Sequence, residues 1–276
     1  MNTENNEMLN KKIAIGFVIY FPEESIIDKI KLVEESGFMF YIFDNSPKIS
    51  LVRDFCKKLK NCKYITCGKN VGLGFGISSI CAQAYYDSFS AFLFFDQDTC
   101  FNIDTLNFIQ DFYKSHFHLE SSYSAIVFNS KEIHQNSSEN KYELKDVLMV
   151  INSGSLFFLK NLEALNWHNT NYFVECVDYE FCLNSNNNNF KIAECSKTPG
   201  FDHKTKQPDK KYKIFGKEKF LRKYSRKRLF DYLFASIKLI LKSIKTRNIR
   251  FTKAYIRSFV IYLYFQSIIR IIKIFK

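Results

Sequence analysis

The sequence predicts an α/β fold with a mostly parallel sheet that helices cover on both faces. Strand-like apolar runs alternate with segments whose apolar residues recur at helical spacing. The strand-like runs are nearly continuous in apolar residues, as expected for strands buried on both faces.

The net charge has opposite signs in two parts of the chain. Residues 1–203 hold 18 Lys and Arg against 25 Asp and Glu, a net charge of −7, whereas residues 204–276 hold 22 against 3, a net charge of +19.

Four predicted strands alternate with three predicted helices. The strands are at residues 12–20, 38–43, 63–67 and 91–95, and the helices are at 23–36, 49–60 and 77–89. The first helix has Ile26, Ile30 and Val33 at helical spacing, and Gly37 is a natural stop after it. Because the carboxyl ends of parallel strands meet at one edge of a sheet, the residues after each strand should share a rim.

Residues suited to ligand binding follow all four strands. They are Tyr20 and Pro22, then Asp44 and Asn45, then the glycine-containing segment 68–76, then Asp96 and Asp98. Ligands of open α/β sheets bind at this edge. A single carboxylate after a strand is commonly only a turn residue or a helix cap, but four such strand ends together favour a site.

The segment GKNVGLGFG, residues 68–76, has neither the P-loop ending nor the G-x-G-x-x-G spacing. Gly72, Gly74 and Gly76 alternate just before a predicted helix. Glycines there would let the backbone approach a ligand closely, and a helix start offers free N–H groups to phosphate. A flexible turn is the alternative.

The stretch FLFFDQDTCF, residues 92–101, ends a buried apolar run in two carboxylates. Like charges at a buried strand end need a positive partner. Two carboxylates one residue apart suit a hard divalent cation, Mg²⁺ or Mn²⁺, which keeps coordination positions for substrate phosphates. Together with the rim and the glycine segment, this implies a nucleoside diphosphate substrate.

Several motifs in order carry a resemblance that spans residues 12–205. They are VIYFP, FDNSP, NVGLGFG, FFDQDT, INSGSLFF, CVDYEFCLN and a late DH at 202–203. The chain resembles a family 2 inverting glycosyltransferase of the GT-A fold, and the D-Q-D form looks most like the bacterial rhamnosyltransferase branch. The resemblance implies a GT-A domain at 12–205, followed by a basic amphipathic helical tail at 206–276.

The resemblance implies metal-dependent transfer of a sugar, with rhamnose as one candidate, from a dTDP- or UDP-linked donor. The acceptor would be a saccharide or a lipid-linked molecule of surface polysaccharide or lipopolysaccharide synthesis. A protein of another class is the alternative, namely a non-catalytic member that binds nucleotide sugar or scaffolds a glycan-assembly complex.

The resemblance also implies roles for the residues that match the motifs. On the donor side it places Tyr20, Pro22, Asp44, Asn45, Asn70, Gly72, Gly74 and Asp96. Asp96, Asp98 and His203 would form the metal site, and Ser153 and Gly154 would lie on the acceptor side. Asp178 falls on the family's catalytic base, with Glu180 two residues later.

The chemistry of inversion independently requires a second carboxylate. A base must deprotonate the acceptor hydroxyl on the face opposite the departing nucleotide. The metal carboxylates and the base should therefore be well separated in the sequence, as Asp98 and Asp178 are. Taken alone, VDYEFCLN also fits an amphipathic helix with a solvated acidic face, and a single histidine such as His203 is more often a surface residue.

Three positions depart from the family pattern. Phe21 stands where Asn is frequent, Asn184 where Arg is frequent, and Asn189 where Gly is frequent. Asn can adopt a left-handed backbone, so we expect the helix that contains Asp178 still to end near Asn189.

The basic tail has an apolar stripe at helical spacing, with Lys238, Lys242 and Lys245 interleaved. The stripe consists of Phe230, Leu233, Phe234, Ile237, Ile240, Leu241 and Ile244. The longest uncharged stretch of the final segment runs over 258–269, which is too short to span a bilayer. These features predict interfacial helices that face anionic lipid. Packing on the body or in a homo-oligomer is the alternative, and no nucleic-acid-binding motif is recognisable.

The eight cysteines form no C-x-x-C pair, and the polar first twelve residues contain no signal-peptide type of apolar segment. We therefore expect reduced thiols in a cytoplasmic protein, peripheral on the inner face of the cell membrane.

Overall fold

The computed structural model of the chain describes residues 12–48, 50–128, 142–203, 210–214 and 217–274. The chain divides into two compact units, Met1–His203 and Lys204–Lys276.

The first unit contains one large sheet and one small pair of strands. In chain order its strands are β1 (Ile13–Ile19), β2 (Phe40–Asp44), β3 (Cys62–Thr66), β4 (Ala91–Asp96), β5 (Thr99–Cys100), β6 (Tyr123–Phe128), β7 (Glu143–Val147), β8 (Ser155–Phe158), β9 (Lys191–Ser196) and β10 (Asp202–His203). Strands β5 and β10 pair with each other, and the other eight form a sheet in the order β3-β2-β1-β4-β8-β6-β9-β7.

The sheet is mostly parallel, as the sequence predicts. The four strands β3-β2-β1-β4 are parallel throughout. Strand β8 runs antiparallel to both β4 and β6, β9 is parallel to β6, and β7 closes the far edge in the antiparallel direction.

Among the described residues of the first unit, six α-helices accompany the sheet. They are α1 (Ser25–Glu35), α2 (Leu51–Cys56), α3 (Leu73–Tyr86), α4 (Ile103–His116), α5 (Leu159–Ala164) and α6 (Val177–Asn187). The buried residues of α1 are Ile26, Ile30 and Val33, which are the three residues that its spacing predicts. Helix α6 is followed by Asn189 at φ +64°, so the expected left-handed residue does follow this helix.

Helix α3 differs from its prediction because it begins at Leu73 rather than at residue 77. Gly74 and Gly76 therefore lie in its first turn and not in a loop. A Cβ at position 76 would come within 2.9 Å of Val18, so the absent side chain lets this turn pack directly on β1.

Phenylalanine rings fill the core next to the ends of β1 and β4. The rings of Phe95 and Phe101 stack with their centroids 4.2 Å apart, and the ring centroid of Phe17 lies 6.4 Å from that of Phe95. Burying one such ring contributes about 1.5–3 kcal/mol to folding. The rings fix the strands whose ends carry the predicted site.

Strand β1 lies between β2 and β4, so the strand order reverses at this point of the sheet. Val18 pairs with Asp96, and Ile19 pairs with Asp44. The carboxyl ends of the three strands are therefore in register, and such a switch point leaves a crevice in which α/β proteins bind ligands.

The second unit has a hairpin of two strands, β11 (Lys210–Ile214) and β12 (Lys217–Leu221), which the sequence analysis does not predict. Two long helices follow, α7 (Arg226–Lys245) and α8 (Ile249–Ile274). The hydroxyls of Ser236 and Tyr255 lie 2.9 Å apart and join the two helices. Among the residues described, no helix has both the length and the apolar character to cross a membrane.

Candidate active site

The D-Q-D turn begins at Asp96, the last residue of β4, and leaves Asp98 exposed. The turn is held from the protein interior. Fully buried Ser153 accepts a hydrogen bond from the Asp96 N–H at 3.1 Å, and its hydroxyl lies 2.6 Å from that of Thr99. Strand pairing also sets His203 opposite Thr99, so the backbone of the predicted late histidine adjoins the turn. The His203 side chain lies outside what the structure describes.

Gln97, the central residue of D-Q-D, ties the turn to the end of β1. Its Oε1 accepts a hydrogen bond from the Tyr20 N–H at 2.8 Å, and its Nε2 donates to the Tyr20 carbonyl at 3.2 Å. Its own carbonyl accepts from Lys29 Nζ at 2.5 Å. The sequence predicts no role for Gln97 or Lys29, and the one local signal for Gln97 is its central position in D-Q-D.

Two adjacent aromatic side chains project from the end of β1. The rings of Tyr20 and Phe21 pack edge to face at 4.6 Å, and both are largely exposed. Phe21 has φ +43°, a left-handed backbone that is costly for an aromatic residue, and its N–H donates to Ser46 Oγ at 2.9 Å. Pro22 follows and is half-buried. The rim thus presents an aromatic surface beside the D-Q-D turn.

Asp44 and Asn45 both make hydrogen bonds within the protein. Asp44 is buried and accepts from the Tyr64 hydroxyl at 2.6 Å and from the Ser46 N–H at 2.8 Å. Burial, together with the Asp44 carboxylate, raises the pKa of Tyr64 above its ordinary value. Asn45 holds the glycine segment, since it accepts from the Val71 N–H and donates to the Gly72 carbonyl, each at 3.1 Å.

The glycines of the rim pack against the chain itself. Gly72 has φ +91°, and a Cβ there would lie 2.6 Å from the Phe173 carbonyl oxygen. A Cβ at Gly74 would lie 2.9 Å from the Tyr172 carbonyl oxygen. Asn70 Oδ1 accepts from the Gly72 N–H at 3.0 Å and shapes the turn before α3. The close backbone approach that the sequence predicted toward a ligand is made here to residues 172–173.

That contact brings the segment before α6 to the rim. Phe173 and Val174 are exposed apolar residues there, and Glu175 follows them. The sequence analysis assigns no role to these three residues, because nothing in the local pattern shows that they lie beside the glycine segment.

Asp178 lies in the first turn of α6 and is half-buried. Its pKa is raised to about 7, chiefly by burial and further by the carboxylates of Asp96 and Glu175. The Tyr179 N–H, which donates to Asp178 Oδ1 at 2.9 Å, opposes this increase. The effect of Asp96 on Asp178 means that these two carboxylates, which are far apart in the sequence, lie within electrostatic range of each other. A carboxyl group with a pKa near 7 can accept a proton at neutral pH.

Three other predicted site residues are buried beneath this surface. Glu180 is 1% exposed and accepts from Asn169 Nδ2 at 3.1 Å, which favours a structural role. Ser153 faces the D-Q-D turn, as described above. Gly154 has φ +79°, and a Cβ there would lie 2.0 Å from the Phe201 ring, so a close packing contact accounts for this glycine.

Asn152 is a residue that the sequence analysis missed. It is buried, and neither polar atom of its side-chain amide has a hydrogen-bond partner within the part of the chain that the structure describes. Such a group costs about 1–3 kcal/mol, so it requires an explanation. Its neighbour Ser153 contacts Asp96, and Val150 contacts Cys182 on α6, so Asn152 belongs to a segment that touches both carboxylate-bearing elements.

The carboxylates of Asp96 and Asp98 are hard oxygen ligands of the kind that Mg²⁺ and Mn²⁺ prefer. Among the side chains described, no group of three or more His, Cys, Asp or Glu residues is placed to hold a metal ion.

Comparison with known proteins concerns the fold. The sequence matches no protein-family model and no curated protein. Solved structures do match. S. aureus TarS aligns with a TM-score of 0.51 and 17% identity over 70% of this chain and 37% of the TarS chain.

Two further structures contain TarS 1-349. The complex with UDP aligns with a TM-score of 0.51 and 17% identity, over 69% of this chain and 59% of that chain. The complex with UDP-GlcNAc aligns with a TM-score of 0.52 and 16% identity, over 71% and 59%. The chain thus spans 37% to 59% of the length of these TarS chains. At this identity the likeness establishes a shared fold, and the chain has the mixed α/β, GT-A-like fold that its sequence predicts.

Proposed function

We propose that the protein is an inverting glycosyltransferase that uses a nucleoside diphosphate sugar. The observation that carries the proposal is the D-Q-D turn at the switch point of the sheet, with the Asp178 carboxyl close enough for Asp96 to raise its pKa. This arrangement supplies the two separate carboxylate functions that inversion needs, one at the diphosphate and one at the acceptor.

In the proposed reaction, ionised Asp178 takes the proton of the acceptor hydroxyl. The hydroxyl oxygen forms a bond to the anomeric carbon while the bond from that carbon to the diphosphate breaks, and the nucleoside diphosphate leaves with the bonding electrons. Tyr20 and Phe21 present aromatic surface for the nucleotide base. Gln97 holds the Tyr20 backbone to the D-Q-D turn.

A divalent cation, Mg²⁺ or Mn²⁺, fits the two carboxylates of Asp96 and Asp98, with His203 as the candidate third ligand. When bound, it would neutralise charge on the diphosphate. A cation bound there would also reduce the repulsion between Asp96 and Asp178 that contributes to the raised pKa of Asp178.

The donor is a uridine- or thymidine-linked sugar in this proposal. TarS structures that contain UDP and UDP-GlcNAc support a uridine diphosphate donor. Rhamnose remains the candidate that the D-Q-D form suggests, and a saccharide or lipid-linked acceptor of surface polysaccharide or lipopolysaccharide synthesis is the proposed acceptor.

The first test is a thermal-shift screen of UDP- and dTDP-sugars with Mn²⁺, since a ligand that binds the folded state raises the melting temperature. Transfer is then measured with the sugar that binds. Asp178→Asn should lower turnover about 10²–10⁴-fold, the range for loss of a general base. Donor affinity should stay within about twofold, because the base serves the acceptor.

Asp111→Asn is the matched control, because Asp111 is an exposed carboxylate of α4 whose partner is Lys114. It should leave turnover unchanged. Undiminished turnover in Asp178→Asn would remove Asp178 from the reaction. Donor binding without transfer to any saccharide acceptor would favour the non-catalytic alternative.

The metal is tested separately from turnover. Asp98→Asn should abolish the effect of Mn²⁺ on donor affinity while the melting temperature without ligands stays unchanged, since Asp98 is exposed. Donor binding that is equally tight in EDTA and in Mn²⁺ would contradict the metal site.

A further inference from the structure

One face of α7 is apolar and uncovered. Its residues follow one another four and three positions apart and are 44% to 68% exposed, and we call them the α7 stripe: Phe230, Phe234, Ile237, Leu241 and Ile244. At 3.6 residues per turn this spacing keeps all five side chains on one side of the helix. The sequence predicted such a stripe, and the structure resolves which of its members are exposed.

A different face of α7 packs against α8. Ser236, Leu239 and Ser243 are buried there. The Ser243 hydroxyl also lies 2.9 Å from that of Thr252, so the two helices are joined at two places. The contact with α8 therefore buries one face of α7, and the α7 stripe lies outside this contact.

Helix α8 adds exposed apolar surface of its own. Its exposed apolar residues include Ile249, Ile256, Val260, Tyr264 and Ile271. At 100° per residue these five fall within about a quarter of the helix circumference. Both α7 and α8 thus present an apolar face to their surroundings.

Cations surround these faces. Residues 226–274 hold 12 Lys and Arg against the single acidic residue Asp231. Lys227, Lys238 and Lys245 are exposed and lie along one flank of the α7 stripe, between about 60° and 80° from Phe230 around the helix. The surface therefore combines apolar side chains with positive charge and almost no negative charge.

This charge decides between the two occupants that such a face could take. The four-and-three spacing would suit a second copy of α7, but pairing would bring flanking lysines of both copies together, and like charges at those positions disfavour association. An anionic lipid surface offers hydrocarbon to the stripe and negative headgroups to the lysines at the same time.

We propose that the α7 stripe docks on an anionic lipid bilayer, with α7 lying in the interfacial plane. The proposal does not depend on sugar transfer, because it concerns residues outside the first unit. It would bring a lipid-linked acceptor to the protein if the proposed transfer is correct.

The test is flotation of the full-length protein with vesicles of phosphatidylcholine alone or with about 30% phosphatidylserine. Binding should require the anionic lipid and weaken as salt is raised from about 0.05 to 0.5 M, because the screening length shortens. Phe234→Ser with Leu241→Ser should reduce binding at least about tenfold, since the variant loses two of the apolar side chains that the bilayer would bury. Both residues are highly exposed, so the fold should survive, which circular dichroism checks.

Tyr86→Ser is the control, since Tyr86 is a large side chain on α3 of the first unit that is even more exposed than Phe234 and Leu241, and this variant should bind as the wild type does. Equal binding to neutral vesicles, or unchanged binding in the double variant, would overturn the proposal. It would also be overturned by a dimer in sedimentation that the double variant abolishes while neither protein binds vesicles, because the occupant would then be a second copy.

Discussion

The carboxyl group of Asp178 is a proton acceptor only when it is ionised. With its pKa at about 7, half of the molecules carry the charge at neutral pH. We expect kcat/KM to fall about tenfold per pH unit below this pKa and to level off above it, since kcat/KM reports the groups of the free enzyme and only the charged form removes the acceptor proton. A pH profile of kcat/KM measures this.

The neighbour Glu175 offers a sharper version of the same measurement. Its negative charge contributes to the raised pKa of Asp178, so Glu175→Gln should shift the rising limb of the profile to lower pH. The plateau should change little, because Glu175 is not proposed to transfer a proton. A profile that does not move would mean that another group controls the rate.

Gln97 is a positioning residue in this account, since its side chain touches Tyr20 and not the reacting atoms. Gln97→Met keeps the length of the side chain and removes both hydrogen bonds to Tyr20. At about 1 kcal/mol for each bond, the donor dissociation constant should rise roughly 5–30-fold, while kcat at saturation changes less. Isothermal titration and initial rates separate the two.

Gln83→Met is the control for this change, because Gln83 lies on α3 and its side-chain amide donates to Asp87. It should leave donor affinity as it is. An equal loss of affinity in both variants would show that the link between Gln97 and Tyr20 has no special role.

At the scale of elements, the junction of the glycine segment with the residues before α6 shapes the rim. Gly72 and Gly68 both have positive φ, at +91° and +67°, but only Gly72 is in close contact, with Phe173. Gly68→Ala should cost about 1 kcal/mol for the left-handed backbone alone. Gly72→Ala should cost about 1–3 kcal/mol more, because its Cβ meets backbone that cannot move away.

Urea unfolding of both variants measures the difference in the free energy of unfolding. Gly72→Ala should also weaken donor binding, since it displaces the segment that precedes Asp178. Equal destabilisation by the two substitutions would contradict the contact with Phe173.

At the scale of the whole molecule, stability should depend on pH through His168. This residue is buried between aromatic rings, stacks on Phe181 at 4.8 Å, and has its pKa lowered by burial from 6.5 to about 3. Between these pH values the unfolded chain binds a proton that the folded chain does not. The free energy of unfolding should therefore fall by up to about 1.4 kcal/mol per pH unit as pH drops below 6.5.

His168→Leu should remove this dependence, and thermal unfolding between pH 4 and 7 checks it. Leu is apolar and of similar size to His, so the variant should still fill this buried position and fold. The same slope in wild type and variant would assign acid sensitivity to other groups.

The ionisation of Asp178 makes the free energy of unfolding fall as pH rises, whereas that of His168 makes it fall as pH drops. Its pKa rises from 3.8 in the unfolded chain to about 7 in the folded one, so its contribution is present at low pH and is lost as pH rises through 7. Asp178→Asn should therefore melt at a higher temperature than the wild type at pH 8 and at nearly the same temperature at pH 4. A variant that is less stable at pH 8 would contradict burial as the cause of the raised pKa.

Several parts of the protein were determined by the sequence alone. The apolar runs of β1, β2 and β4, the helical spacing of Ile26, Ile30 and Val33, and the strand-end position of Asp96 are local patterns. Such patterns fix elements because backbone periodicity and burial act over a few residues. The parallel order of the strands then followed from their alternation with helices, and the rim followed from that order.

Only the tertiary structure decided which rim residues face each other. The bonds of Gln97 to Tyr20, the contact of Gly72 with Phe173 and the effect of Asp96 on Asp178 all join residues far apart in the chain. It also showed Asp44, Ser153 and Glu180 to be buried and hydrogen-bonded, although a strand-end position for Asp44 and the family resemblance for Ser153 and Glu180 predicted a site. The physical reason is that burial and electrostatic shifts depend on what the folded chain packs around a group, which no local pattern specifies.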